Sequence, residues 1–284
     1  MRYQAGIKQS ERTYINAFTH NVDRIVESGG TTSKAFDTLR TNWETYLHAT
    51  EQRNGTTDLA ALVATPEPLD ADIIDAHRER ALLDHVETRE EIEAVGEQVS
   101  RALETEYRAT TAQANYQVAA QQFDKLADQL TRAHTSVDLD AAPETVLAGT
   151  KAQRDAYLGA GILPAQLDEA LQTLAKAGAL AGLNLDIWVD ETSSANLLGL
   201  ATDTSRAHVR RVWEAWQQPT SRLGRWGSLL ATGATLRAAT LEDFHPQREP
   251  RDMEIVTERV GVGIRQFQVD PEDADFEQRT TSAA

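Results

Sequence analysis

The chain contains no cysteine among its 284 residues. Disulfide bonds, cysteine-bound zinc, iron–sulfur clusters and cysteine nucleophiles are therefore excluded. Long apolar runs are also missing. The most apolar stretch, Gly227–Leu236, lies between Arg225 and Arg237 and has roughly half of the ~18 residues that a membrane span requires. The first residues include no apolar segment of the secretory type, so we expect a protein of the cytoplasm or of an assembled particle such as a virion.

Catalytic motifs are lacking as well. Gly149-Thr150-Lys151 does not have the residue order of a phosphate-binding loop, and the sequence contains neither GxSxG nor HExxH. His77 and His85 are too far apart along a helix to share an ion. We therefore expect a protein that is not an enzyme and that uses no cofactor and no metal. A dispersed active site of carboxylates and arginines stays open as an alternative.

The net charge of −16 indicates an acidic surface, which repels nucleic acid and anionic membranes. The expected partners are accordingly other protein subunits or further copies of this chain, while nucleic acid is disfavoured.

Apolar spacing predicts a mostly α-helical protein. Segments 10–28 and 32–53 each have an apolar stripe at steps of three and four, with Ser10 and Thr32 as N-caps and Gly29-Gly30 between them. They predict an N-terminal αα-hairpin over residues 1–55, followed by a connector over 56–69. A small helical domain is predicted over 138–245, with short helices at about 143–158, 164–181, 193–201, 205–217 and 220–241 and one short strand at 185–189.

Residues 70–137 carry the strongest pattern and predict one very long, coiled-coil-like helix. Two rows of apolar residues recur at intervals of seven, with a phase mismatch near residues 105–107 that indicates a stutter. The first row is Val95, Ala102, Ala109, Tyr116, Phe123, Leu130 and Val137, and the second is Ala112, Ala119, Leu126 and Ala133. The many alanines favour packing against helices of the same chain over a coiled coil between chains, although both remain open.

One cluster combines basic and aromatic residues. Between positions 204 and 226 there are five arginines and a single acid, Glu214. Arginine and tryptophan are the residue types most enriched at interface hot spots, so the cluster is a candidate partner-binding site. Its members are Arg206, Arg210, Arg211, Trp213, Trp216, Arg222, Arg225 and Trp226. Three interpretations stay open: a tryptophan core with arginines paired inside the chain, a docking patch, or contact with nucleic acid.

Residues 246–284 differ from the rest and predict a linker, a β-arm and a disordered acidic tail. Segment 254–269 is rich in β-branched residues and is the best strand signal in the chain. A lone strand or hairpin leaves backbone groups unpaired, so we expect this arm to pair with a partner. Its apolar residues are Ile255, Val256, Val260, Val262, Ile264 and Phe267.

Together these features predict a non-enzymatic structural or adaptor subunit of a larger assembly. Parts of this kind occur in virus particles and in secretion-type machines, which is an analogy of architecture only. The alternative is a nucleic-acid-associated or regulatory helical protein that uses residues 206–226.

Overall fold

The computed structural model describes residues 10–53, 71–185, 192–260 and 263–282. This part of the chain is predominantly α-helical, as predicted, with eleven helices and two small antiparallel sheets. The predicted connector over 56–69, the short strand over 185–189 and the arm residue Val262 lie wholly or almost wholly outside the described residues. No helix in the described ranges is long and apolar enough to cross a membrane.

The chain divides into two compact units, residues 1–113 and 114–284. In the first unit, α1 (Glu11–Glu27) and α2 (Lys34–Arg53) both pack against α3 (Ala71–Thr110). The Ser10 side chain accepts a hydrogen bond from Thr13 N, so it caps α1 as predicted. At α2 the prediction is corrected by one residue, because the hydroxyl of Ser33, not Thr32, accepts the bond from Phe36 N at 3.0 Å.

An aromatic cluster forms the core of the first unit. Phe18, Phe36 and Tyr107 come from the three helices, and their ring centroids lie 5.9–6.3 Å apart. All three side chains are at most 2% exposed. Ring pairs at this separation pack favourably, so the cluster fixes α1 and α2 on α3.

The region predicted as one helix over 70–137 consists of two, α3 and α4 (Ala112–Ser136). In α3 the predicted row is wrong: Val95 and Ala102 are half-buried and Ala109 is exposed. The buried row is instead Ser100, Leu103 and Tyr107. Extended at the same spacing, that row would reach residues 110 and 114, which are exposed. The buried face therefore changes phase near the point where α3 ends.

In α4 the predicted apolar residues are buried except Leu126, which is half-buried. Tyr116, Phe123 and Leu130 are at most 3% exposed, and Ala112, Ala119 and Ala133 accompany them. Phe123 contacts Trp226, whose side chain is fully buried, with ring centroids 5.7 Å apart. The apolar row of this helix therefore packs within the second unit.

The second unit continues through a series of short elements. Its helices are α5 (Pro143–Leu147), α6 (Lys151–Ala160), α7 (Leu163–Leu180), α8 (Ser194–Ala201), α9 (Val209–Gln217), α10 (Gly224–Ala231) and α11 (Pro271–Ser282). Its strands are β1 (Thr202–Asp203), β2 (Thr235–Leu236), β3 (Glu254–Val260) and β4 (Gly263–Val269). The helix predicted over 220–241 is shorter than expected, because the chain leaves it to pair β2 with β1. The helix predicted over 143–158 is divided in two at Gly149.

The chain that leads to the C-terminal segment crosses α8 in close contact. Gln247 N donates to Ala195 O at 2.8 Å, and Ala239 N donates to Leu200 O at 2.8 Å. Gly199 makes the crossing possible, since a Cβ at that position would lie 2.1 Å from the carbonyl oxygen of His245. The linker is therefore fixed to the helical body before the hairpin begins.

Candidate interaction surface at the C-terminal hairpin

The predicted β-arm is a two-stranded antiparallel hairpin. Strands β3 and β4 pair in a continuous register from Glu254 opposite Val269 to Val260 opposite Gly263. Directly opposed residues share one face of a sheet, so Val256 and Phe267 lie on one face. Ile255 and Ile264 lie on the other face, because each is an odd number of positions from the member of that pair on its own strand.

Both faces of this hairpin are open to solvent. Ile255 and Ile264 are 68% and 74% exposed, and Val256 and Phe267 are 38% and 37% exposed. The sheet contains only β3 and β4 within the described residues, so each strand also has one unpaired edge. Exposed apolar side chains together with open strand edges are typical of an interaction surface.

A buried carboxylate fixes the chain on both sides of the hairpin. Glu272, in the first turn of α11, is fully buried and accepts hydrogen bonds from both terminal nitrogens of Arg248, at 2.8 and 2.6 Å. It also accepts from the backbone N and from Nε of Arg251, at 3.0 and 3.1 Å. These bonds, those from Arg248 first, hold the pKa of Glu272 well below its usual range. The carboxylate therefore joins the segment before the hairpin to the helix after it.

A second carboxylate attaches the same region to α9. Arg210 donates to Asp270 from Nε at 2.6 Å and from Nη2 at 3.2 Å. Asp270 also accepts from the backbone N of Glu272 at 3.0 Å, which caps the start of α11. Hydrogen bonding to Arg210 lowers the pKa of Asp270 and raises that of the guanidinium. The hairpin thus ends at a residue that is ion-paired to the helical body.

A histidine completes this attachment. His208 is 4% exposed, its Nε2 lies 2.9 Å from Asp273 Oδ1, and its ring contacts Phe276 edge-on at 5.6 Å between centroids. His208, Asp270 and Asp273 bring three potential metal-ligand atoms within 4.8 Å of one another. Asp270 already accepts two hydrogen bonds from Arg210, so a metal ion bound there would compete with the guanidinium. His208 Nδ1 is buried and has no hydrogen-bond partner among the described residues.

We call the contacts of Glu272, Asp270 and His208 with their partners the polar anchor. Its presence corrects the prediction of a disordered acidic tail, because residues 271–282 form α11. The residues DPED at 270–273 contain a capping aspartate, a proline in the first turn and acids near the helix N-terminus. Those signals of a helix start were available in the sequence. The partners of the acids were not, since Arg248 lies 24 positions from Glu272.

The tryptophans of the predicted basic–aromatic cluster lie in the core of the second unit. Trp213, Trp216 and Trp226 are at most 6% exposed. Trp226 Nε1 donates to Asp168 Oδ1 at 2.9 Å, and Trp213 Nε1 donates to Arg248 O at 2.8 Å. The Trp213 bond connects the cluster to the segment that carries the polar anchor.

Two arginines of the cluster pack on aromatic rings of the same unit. The guanidinium of Arg222 lies 3.8 Å from the ring centre of Tyr157, and its Nε donates to Leu139 O at 2.8 Å. The guanidinium of Arg225 lies 4.6 Å from a ring centre of Trp216. Cation–π contacts of this kind stabilise a fold when the cation is partly desolvated.

Arg206, Arg211 and Arg222 are the exposed arginines of the cluster. Arg210, Arg222 and Arg225 make contacts within the chain, through Asp270, Leu139 O and the Trp216 ring respectively. The structure brings the cluster and the hairpin together at Arg210 and Trp213, a connection that the sequence pattern did not predict.

No protein-family model matches this chain, and no curated protein or solved structure is detectably similar to it.

Proposed function

We propose that this chain is a non-enzymatic structural or adaptor subunit of a larger protein assembly, and that the hairpin 254–269 is the arm that contacts a neighbouring subunit. The observation that supports the proposal is the hairpin itself: a two-stranded element with apolar side chains exposed on both faces, attached to the body through buried polar contacts at its base.

The energetics of the hairpin favour such a role. A two-stranded hairpin is at best marginally stable by itself in water, and further strands or a packing partner stabilise it. Burying a large aliphatic or aromatic side chain contributes about 1.5–3 kcal/mol. Ile255 and Ile264 are mostly exposed, so a partner that covered them would gain much of that contribution at each position.

The long helices support the same proposal. Helix α3 has 40 residues and spans about 60 Å at 1.5 Å per residue. We propose that the coiled-coil helix predicted over 70–137 forms in the assembled state, where α3 and α4 join into one continuous helix. The bond from Thr111 N to Tyr107 O at 3.0 Å keeps a helical hydrogen bond at the point of joining.

The test replaces residues 255–268 with a short Gly-Ser connection and measures mass in solution against protein concentration. We expect the full chain to form larger species as concentration rises, and the replaced chain to stay a monomer with unchanged helical circular dichroism. A matched control changes exposed apolar residues elsewhere, Leu158→Asp and Ile162→Asp, which are 72% and 64% exposed. This control should associate like the full chain. If the full chain is a monomer throughout, or if it associates equally without the hairpin, the proposal is wrong.

A further inference from the structure

We infer that strand β4 pairs with strand β4 of a second copy of this chain, so that two hairpins form one four-stranded antiparallel sheet around a two-fold axis. The inference rests on the proposed function and names the partner and the edge that are used.

The two open edges of the hairpin differ in charge. Strand β3 carries three charged residues, Glu254, Glu258 and Arg259, whereas β4 carries only Arg265. Charged side chains on an edge strand oppose the approach of another strand. The remainder of β4 is apolar, glutamine or glycine, so β4 is the edge on which a second strand meets the least repulsion.

The sequence of β4 also favours pairing with itself. A two-fold axis that keeps each face of the sheet continuous passes through one residue of the strand, which then lies opposite its own copy. An axis at Arg265 would oppose two guanidinium groups. An axis at Phe267 sets two phenyl rings side by side and places Gln266 opposite Gln268 on both sides. Aromatic pairs and hydrogen-bonding side-chain pairs stabilise neighbouring strands, while like charges destabilise them.

The resulting sheet removes the features that leave the single hairpin incomplete. Each β4 edge becomes a central strand, so its unpaired backbone groups gain partners. Val256 and Phe267 of both copies form one continuous apolar row across four strands, since they already oppose each other within the hairpin. The charged edges of β3 become the outer edges, where they oppose the addition of further strands. The pairing therefore closes at two copies.

Cysteine cross-linking tests the inference directly, because the native chain has no cysteine. Phe267→Cys places one thiol opposite its copy, and directly opposed strand positions lie about 4.5–5.5 Å apart between Cα atoms, within the range of a disulfide. We expect this full-length variant to form a covalent dimer under mild oxidation. The matched control is Thr257→Cys on β3, which is also exposed and should remain a monomer.

A second measurement keeps Phe267 in place. Gln266→Cys and Gln268→Cys should each cross-link poorly alone, whereas an equimolar mixture should give a covalent heterodimer in several-fold higher yield. Efficient cross-linking of Gln266→Cys with itself, or of Thr257→Cys, overturns the inferred register or edge. If none of these variants cross-links while association still depends on the hairpin, the proposed function stands and the inferred pairing is wrong.

Discussion

The hairpin and the polar anchor at its base are adjacent in the chain but have opposite chemistry. In the anchor, the central charged group is buried and paired: Glu272 is fully buried between Arg248 and Arg251. In the hairpin, apolar groups such as Ile255 and Ile264 are in solvent. Folded monomers usually bury apolar groups and expose charged ones. The reversal indicates that the polar contacts attach the hairpin to its own chain and leave the apolar surface for another one.

Removing the carboxylate of Glu272 should have the largest effect on the anchor. Glu272→Ala should weaken the attachment of α11 by about 2–3 kcal/mol, below the ~3–5 kcal/mol typical for a fully buried pair, since water can reach the arginines. Their side chains are 50% and 48% exposed. Hydrogen exchange should show faster exchange in α11 and unchanged exchange in α4. The exposed Glu249→Ala is the matched control, and equal exchange in the two variants would mean that Glu272 does not hold the helix.

Acid should weaken the same attachment without a mutation. The pKa values of Glu272 and Asp270 are lowered in the folded chain by arginine hydrogen bonds, so the unfolded carboxylates bind protons more readily. Their contribution is complete at neutral pH, weakens below the ordinary carboxyl pKa values of about 4, and is lost as pH falls through the lowered values. Amide chemical shifts of α11 should report this change. If Glu272→Gln shows the same acid transition as the native chain, other carboxylates cause it.

Removing the histidine should have a smaller effect. His208→Ala deletes the bond to Asp273 and the contact with Phe276, and we expect a loss of about 1–2 kcal/mol because the exposed Asp273 carboxylate can be solvated. Urea denaturation of the variant against the exposed His134→Ala measures the difference. A loss no larger than that of His134→Ala would place His208 outside the anchor.

The hairpin itself should contribute least to the stability of the monomer. Ile255→Thr combined with Ile264→Thr retains strand propensity and should change the free energy of unfolding by less than about 0.5 kcal/mol. The measurement is urea denaturation at a concentration where the chain is a monomer. A loss above about 1 kcal/mol would show that these side chains pack on the helical body, and the contrast with the anchor would disappear.

Local patterns predicted much of this fold. Capping and apolar periodicity were enough for α1, and alternation with β-branched residues was enough for the hairpin. The buried row of α3 was missed because Val95, Ala102 and Ala109 fit a heptad equally well. The choice between rows depends on the aromatic partners Phe18 and Phe36, which lie on other helices.

The polar anchor was missed for a different reason. Its bonds between side chains join residues that are distant in sequence, such as His208 and Asp273, which are 65 positions apart. No short motif relates such residues. The hairpin reverses the direction of the chain, so that Glu272 after it lies beside Arg248 and Arg251 before it.

The position of the C-terminal segment depends on the absence of a Cβ atom at Gly199. At Gly199 the polypeptide around His245 occupies the space that any other residue would need for its first side-chain carbon. A methyl group at this position would push the linker off α8 and shift the point from which the hairpin starts. The position of the hairpin therefore depends on Gly199, a residue of α8, although α8 is not part of the proposed contact surface.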